Sequence, residues 1–293
     1  IEGLGLPKEI FGEVVEPGTP LGNLREVVAE EVGGDFPVIA TTTHDTGAAV
    51  TGIPGEGDYA FISSGTWSII GTELQEPILT EEAFTIGWAN EQGVENTTRF
   101  LRNISGAWLF QECVSQWRSE GDESSYRDFD DQAGAAPAFG SLVDPDHDDL
   151  KAPGRMPERI QALCREKNQP VPESKGEILR LVAESVALKH RVRFDQLQQI
   201  TGKNLARIHM GGGGIKNELL AQSIATSCRV PVHAGPIEAT ACGNIITQMG
   251  ATGDLPDIAT GRQLIRDSIP LKIFSPGNPE PWDKALARFE KLL

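Results

Sequence analysis

The chain has 293 residues, 39% of them apolar, and 26 Lys and Arg against 42 Asp and Glu give it a formal charge of −16. That length buries about three-quarters of the surface of the unfolded chain, enough for one large domain or two small ones. The acidic balance repels phosphate backbones and anionic headgroups, so neither nucleic acid nor a membrane surface is an expected partner; a phosphorylated small molecule is allowed wherever local backbone amides overcome the global field.

The first ten residues, Ile1 to Ile10, lack an initiator Met, a basic segment and an apolar leader core, and read as a cut made inside a longer chain. Residues 1–35 are rich in Gly, Pro and acids, with a helical stretch near 22–33. The run 36–41 is short, β-branched and bounded by turn residues, which predicts a strand ending at Thr42-Thr43-His44-Asp45. Residues 59–64 and 67–73 read as two strands of a hairpin joined at Ser64-Gly65-Thr66. The apolar run at 60–70 carries Ser and Gly and falls far below the ~20 residues that span a bilayer. A strand at 97–102 and an amphipathic helix at about 104–118 follow, and the acidic, Gly- and Pro-broken stretch 119–155 reads as a polar surface insertion. Helices are predicted at about 156–167 and 175–200. A β-turn-α-β-α run comes next: strand 205–210, turn 211–214, helix 217–227, strand 230–234 and helix 239–249, with tail helices at about 261–267 and 280–292. Three meandering strands followed by alternating strand and helix predict a mixed five-stranded sheet with helices on both faces.

Four segments could carry chemistry. In His44-Asp45-Thr46, a carboxylate at a strand end and helix start suits a general base taking a proton from a hydroxyl; the alternative is a plain helix N-cap. Ser63-Ser64-Gly65-Thr66 could offer turn amides and hydroxyls to phosphate oxygens, or be an ordinary hairpin. Gly211-Gly212-Gly213-Gly214-Ile215-Lys216-Asn217 lets backbone approach a flat or anionic ligand before a helix N-terminus, and matches neither a Walker A nor a dinucleotide fingerprint. The small residues of 235–244 read as a close helix contact. The acids at 144–149 lack the order of a calcium loop and read as solvated. Four scattered cysteines (Cys113, Cys164, Cys228, Cys242) give no zinc or disulfide pattern, which suits a reducing cytoplasm, and the five histidines form no ligand spacing.

Taken in order, Thr43-His44-Asp45-Thr46, Ser63-Ser64-Gly65-Thr66-Trp67-Ser68, 101–112, 152–157, 184–189, Ile208-His209-Met210-Gly211-Gly212-Gly213 and 234–241 resemble the FGGY family of carbohydrate kinases, whose superfamily includes actin, hexokinase and the Hsp70 chaperones. The resemblance implies an actin-like, ribonuclease H-like α/β fold and phosphoryl transfer from ATP with Mg²⁺ to the 1-hydroxyl of a ketose, L-rhamnulose being the expected one. It implies Asp45 as the base, His44, Thr46 and Asn103 as sugar contacts, and Thr66, Gly65, Gln111, Gly212, Gly213 and Asn217 as nucleotide contacts. At Gly211 many relatives carry an apolar residue, which leaves the register of the glycine run open by one.

The family begins with a domain whose Asp-x-Gly hairpin holds the Mg²⁺·phosphate and whose pocket reads most of the sugar; no Asp-x-Gly precedes residue 36 here. Residues 1–53 are therefore expected to be the end of that domain, the rest of it being the missing partner. Residues 54–293 are the expected nucleotide-binding domain, with a helical insertion at about 119–203. The expectation is a chain that binds ATP and, alone, does not turn over sugar. Another kinase of the family, acting on fuculose or xylulose, and a non-catalytic nucleotide-binding module are the alternative readings.

Overall fold

A computed structural model describes residues 2–293. The chain opens with a two-stranded antiparallel ribbon, β1 (Pro20–Asn23) and β2 (Pro37–Ile39), on either side of α1 (Glu26–Val32). Next come α2 (Asp45–Gly52), the hairpin β3 (Ala60–Ser64) and β4 (Trp67–Leu74), α3 (Glu81–Ile86), β5 (Ala89–Gln92) and β6 (Thr98–Ser105). A helical stretch follows: α4 (Trp108–Ser119), α5 (Tyr126–Ala135), α6 (Met156–Glu166) and the long α7 (Lys175–Thr201). The chain ends with β7 (Ile208–Gly211), α8 (Glu218–Cys228), β8 (Val232–Ala234), α9 (Ala239–Thr252), α10 (Ile258–Ser268), β9 (Lys272–Phe274) and α11 (Glu280–Phe289).

The main sheet has seven strands in the order β5-β6-β4-β3-β7-β8-β9, parallel along β3, β7 and β8 and antiparallel elsewhere. Period-2 alternation assigns its faces. Ala60, Ile62, Ile70, Phe100, Ile208 and Met210 join one large core with α4, α6, α7 and α8, whereas Phe61, Ile69 and Leu101 face Ala49, Val50, Ile53 and Ala239 of the α2–α9 side. The alternation is nearly invisible as hydropathy, because a central strand covered on both faces is apolar at every position. Helix α7 is started by a reciprocal cap in which Ser174 accepts from Glu177 N–H and the Glu177 carboxylate accepts from Ser174 N–H.

The seven strands correct the expected five. The missed edges are β5, a polar Ala-Asn-Glu-Gln run, and β9, three residues long, and neither carries an apolar pattern. Strand β6 runs to Ser105 rather than 102 because β4 continues opposite it, Trp67 against Ser105, so α4 starts at Trp108 rather than at 104. The stretch 119–155 is not simply a surface insertion. It holds α5, capped by Ser125 and Asp128, and buries Phe129, Leu142, Val143 and Leu150. The acids at 144–149 are not all solvated: the Nζ of Lys189, 3% exposed, lies 2.7 Å from Asp144 and 3.1 Å from Asp146. The strand expected over 36–41 shrinks to β2, paired with an unforeseen β1, and Leu21, Val27, Phe36 and Val38 around it are exposed.

Helices α2 and α9 touch backbone to backbone. A Cβ on Gly52 would fall 2.1 Å from the Ala239 carbonyl oxygen, and one on Gly243 would fall 1.8 Å from that of Ala48. This explains the small residues of 235–244 as a close helix contact. Thr240 Oγ1 donates to the Asp45 carbonyl at 3.3 Å and Asn244 Nδ2 to Thr41 Oγ1 at 3.1 Å, so α9 also fixes the entry to α2. Gly243→Ala should lower unfolding stability by about 2 kcal/mol or more, since overpacking a rigid contact costs ~1–3 kcal/mol. Gly250→Ala, in the same helix with open space at its Cβ, should be neutral or stabilising by up to about 1 kcal/mol. Urea denaturation of the two variants checks the contrast, and equal effects would remove the contact as the cause.

Candidate active site

Three predicted residues meet at the β3–β4 turn. The Gly65 carbonyl accepts from Ala107 N–H and the Thr66 carbonyl from Trp108 N–H, both at 3.1 Å, which staples the turn to the start of α4. Gly106 permits the approach, since a Cβ there would lie 2.7 Å from Ser68 N. One helical turn on, Gln111 Oε1 accepts from Thr66 Oγ1 at 3.1 Å, so Gly65, Thr66 and Gln111 form one wall.

Buried polar groups back this turn. His190 donates from Nδ1 to the Val186 carbonyl, 2.8 Å away, and Ser68 Oγ donates to Nε2 at 2.8 Å; burial lowers the imidazole pKa to about 4, so the ring is neutral. Asp146 Oδ1 accepts from Ser105 N–H at 2.8 Å, one residue before Gly106, and Lys189 holds that carboxylate.

The wall lines a cleft of about 440 Å³ together with Ala107 at the start of α4, Phe110 of α4, Tyr126 and Asp130 of α5, Val182 and Val186 of α7, and Gly213, Gly214, Lys216, Asn217 and Leu220 after β7. It opens beyond the carboxyl ends of the parallel strands β3 and β7, where α/β sheets place their ligands. Of the glycine run, Gly213 and Gly214 form cleft wall. Gly212 instead makes the turn, with φ +92°, its N–H bonded to the Pro236 carbonyl, and a Cβ would stand 2.6 Å from the Ser64 carbonyl oxygen. Asn217 spends its side-chain oxygen capping α8 through Leu220 N–H at 2.8 Å, which leaves its amide nitrogen for a ligand.

His44, Asp45 and Thr46 at the start of α2, and Asn103 on β6, all lie outside the cleft lining. Asp45 is the first residue of α2, its side chain 81% exposed, with Oδ1 accepting from Thr46 N–H at 2.7 Å and lying 3.5 Å from His44 Nε2. Glu91 of β5 stands 3.6 Å from His44 Nδ1 and 3.1 Å from the Arg99 guanidinium, which packs beneath Gly47. Asn103 is exposed on the sheet face that carries α2, opposite Ile69 and two residues, about 7 Å by strand rise, along β6 from Ser105, the partner of Trp67. Sequence reading missed the cleft's Tyr126 and Asp130 and gave no role to Phe110 and Lys216, which lie inside segments it named. The readable signal was the Ser125–Asp128 cap, which starts α5 and places Tyr126 and Asp130 four apart on one face.

Among the described residues no group of three or more His, Cys, Asp or Glu could hold a metal ion, and no helix is long and apolar enough to cross a membrane.

A mixed sheet with helices on both faces, a stapled hairpin turn and a cleft at the strand ends define an actin-like ATPase fold. In agreement, the xylulose kinase from Lactobacillus acidophilus superposes with a TM-score of 0.71 at 16% identity, over 99% of this chain and 57% of that one. Residues 60–252 match the C-terminal domain of the FGGY family of carbohydrate kinases. The rhamnulokinase of Bacteroides thetaiotaomicron is 41% identical over 292 residues, 99% of this chain and 59% of that protein; that of Enterococcus faecalis is 41% identical over 285 residues, 95% and 56%. The chain belongs to the FGGY family of carbohydrate kinases. It spans less than two thirds of the length of these curated relatives.

Two buried histidines make stability pH-dependent. His209 on β7, with neither ring nitrogen hydrogen-bonded among the described residues, packs 5.2 Å from the Tyr59 ring and 4.9 Å from the His233 ring, and burial takes its pKa to about 3. Both His190 and His209 are neutral when folded and take protons first when unfolded. Their contribution is complete above pH ~6.5, the unfolded value, and falls as the pH drops toward 4. Urea midpoints measured from pH 7 to 5 should fall, and less steeply in His209→Phe; an unchanged slope in that variant would discount His209.

Proposed function

We propose that this chain is the nucleotide-binding part of an ATP-dependent sugar kinase that phosphorylates the 1-hydroxyl of L-rhamnulose. The observation that carries the reading is the stapled turn: Thr66 and Gln111, joined side chain to side chain, form one wall of the cleft at the carboxyl ends of β3 and β7. Its volume lies within the ~300–1,000 Å³ of small-molecule sites, and its apolar and glycine surfaces suit a purine and ribose. The similarity to rhamnulokinases supports the choice of sugar.

In this reading Thr66 and Gln111 hold phosphate oxygens, Gly65, whose N–H is bonded to the Trp67 carbonyl, shapes the turn against which they lie, Gly213 lies against the adenosine behind the Gly212 turn, and the Asn217 amide reaches the base. Asp45 accepts the hydroxyl proton, and His44, Thr46 and Asn103 position the sugar. Phosphoryl transfer asks chiefly for positioning and charge stabilisation, which a rigid turn and a helix N-terminus provide. Mg²⁺ would neutralise phosphate charge when bound and keep most of its water; its carboxylate ligand is assigned, like the remaining sugar contacts, to the part of the relatives that this chain does not cover, and Asp45 is left free to act as the base. Residues 1–53 are read as the end of a sugar-binding domain, whose last helix, α2, packs on the main sheet through Ala49, Val50 and Ile53, and 54–293 as the nucleotide domain, with helices 119–203 inserted. The remaining sugar contacts are assigned to the part of the relatives that this chain does not cover.

The 293-residue chain should bind ATP and show no rhamnulose-dependent ATP consumption. Joined to the amino-terminal segment of a rhamnulokinase it should turn over, and Asp45→Asn should then lower kcat by about 10²–10⁴-fold, the usual worth of a general base, with ATP affinity unchanged. Turnover unaffected by Asp45→Asn would end the assignment of the base.

A further inference from the structure

Asp130 is the one carboxylate in the cleft lining, and it makes no hydrogen bond or ion pair among the described residues. Its Oδ1 is sealed from solvent without a donor. Burial raises the carboxyl pKa to about 6, and the charges of Asp131 and Glu218 push the same way. A half-buried acid in this state is stabilised by a donor brought to it.

The position of Asp130 restricts what that donor is. A carboxylate repels a triphosphate, so it belongs at the opposite end of a nucleotide from the Gly65–Thr66 turn. On α5 it lies one helical turn from Tyr126, whose ring stacks on Phe110 with centroids 6.1 Å apart and carries the Arg118 guanidinium 4.6 Å above it. Flat apolar and aromatic surface beside an acceptor suits a heterocycle bearing an amino group.

We propose that Asp130 reads the exocyclic amine of the nucleotide base, and so selects a 6-aminopurine over a 6-oxopurine. This rests on the nucleotide reading of the cleft. The 6-amino group of adenine donates to the carboxyl, whereas the 6-oxo group of hypoxanthine turns an acceptor toward an acceptor and leaves both unpaired. Sites built around such a donor reject analogues that lack it far more strongly than apolar pockets do.

Titration calorimetry of the purified chain with ATP and ITP, on wild type, Asp130→Asn and Asp130→Ala, tests it, with circular dichroism to confirm that each variant folds. Wild type should prefer ATP by about tenfold or more, the worth of one hydrogen bond to a charged group. Asp130→Ala should bring the ratio near one. Asp130→Asn, which keeps the shape and can turn its NH₂ toward the 6-oxo group, should shift the ratio toward ITP. Equal ATP and ITP affinity in wild type, or a ratio unmoved by Asp130→Asn, overturns the inference while leaving the nucleotide site standing. Absence of binding to either nucleotide overturns the site itself, and the inference with it.

Discussion

The contact of α2 with α9 is the constraint on which the placement of the proposed chemistry depends. With no side chain between the two helices at Gly52 and Gly243, their separation is set by main-chain atoms that have no rotamers to adjust. Asp45 heads α2, and Thr240 on α9 bonds to its carbonyl, so the proposed base is registered against the helix that follows β8. Although Asp45 precedes β3 in sequence, Ala49, Val50 and Ile53 of its helix and of the residue after it share a core with Phe61 and Ile69 of the main sheet. The carboxylate is thus carried by the body that also carries the hairpin turn, and its distance from that turn is fixed by packing.

A second layer of polar groups holds the turn itself. In a poorly solvated interior, hydrogen bonds to preset donors are stronger and need no rearrangement when an anion arrives. Ser68 on His190, Ser105 on Asp146 and Asp146 on Lys189 supply that support from α7 and from the 144–149 segment. This reconciles the charge of −16 with the proposed anionic ligand: the turn offers the Thr66 hydroxyl and the Gln111 amide, and Asp144 and Asp146 behind it are paired with Lys189.

The central elements were legible in the sequence because their signals are local. Phe61 and Ile62 next to Gly65 mark a buried hairpin, and the long run from Lys175 announces its own start through Ser174 and Glu177. What failed depends on partners. Asn103-Ile104-Ser105 looks like the start of a helix until β4 is placed beside it, and Ala89–Gln92 becomes a strand only because β6 offers an edge. The motif residues at the turn and at α2 could be named in advance, but the cleft is closed by Phe110, Tyr126 and Asp130, which converge from two helices that no spacing rule connects. Within the glycine run, sequence cannot tell the turning residue from the wall residues, since each glycine tolerates either role; contact with Ser64 settles it for Gly212.

The 144–149 segment has a practical consequence for anyone seeking a minimal version of this domain. By composition it is the first stretch one would trim: short, acidic and broken by proline. Yet its two inner carboxylates are the counter-charges of an ammonium 3% exposed in the middle of the longest helix. Excision would strand Lys189 without a partner, and a buried charge that loses its partner is destabilising by about 3–5 kcal/mol, a sizeable part of what keeps a domain folded. Shortening that loop therefore requires changing Lys189 to an apolar residue in the same step, and the two positions form a single unit of engineering although they lie some forty residues apart.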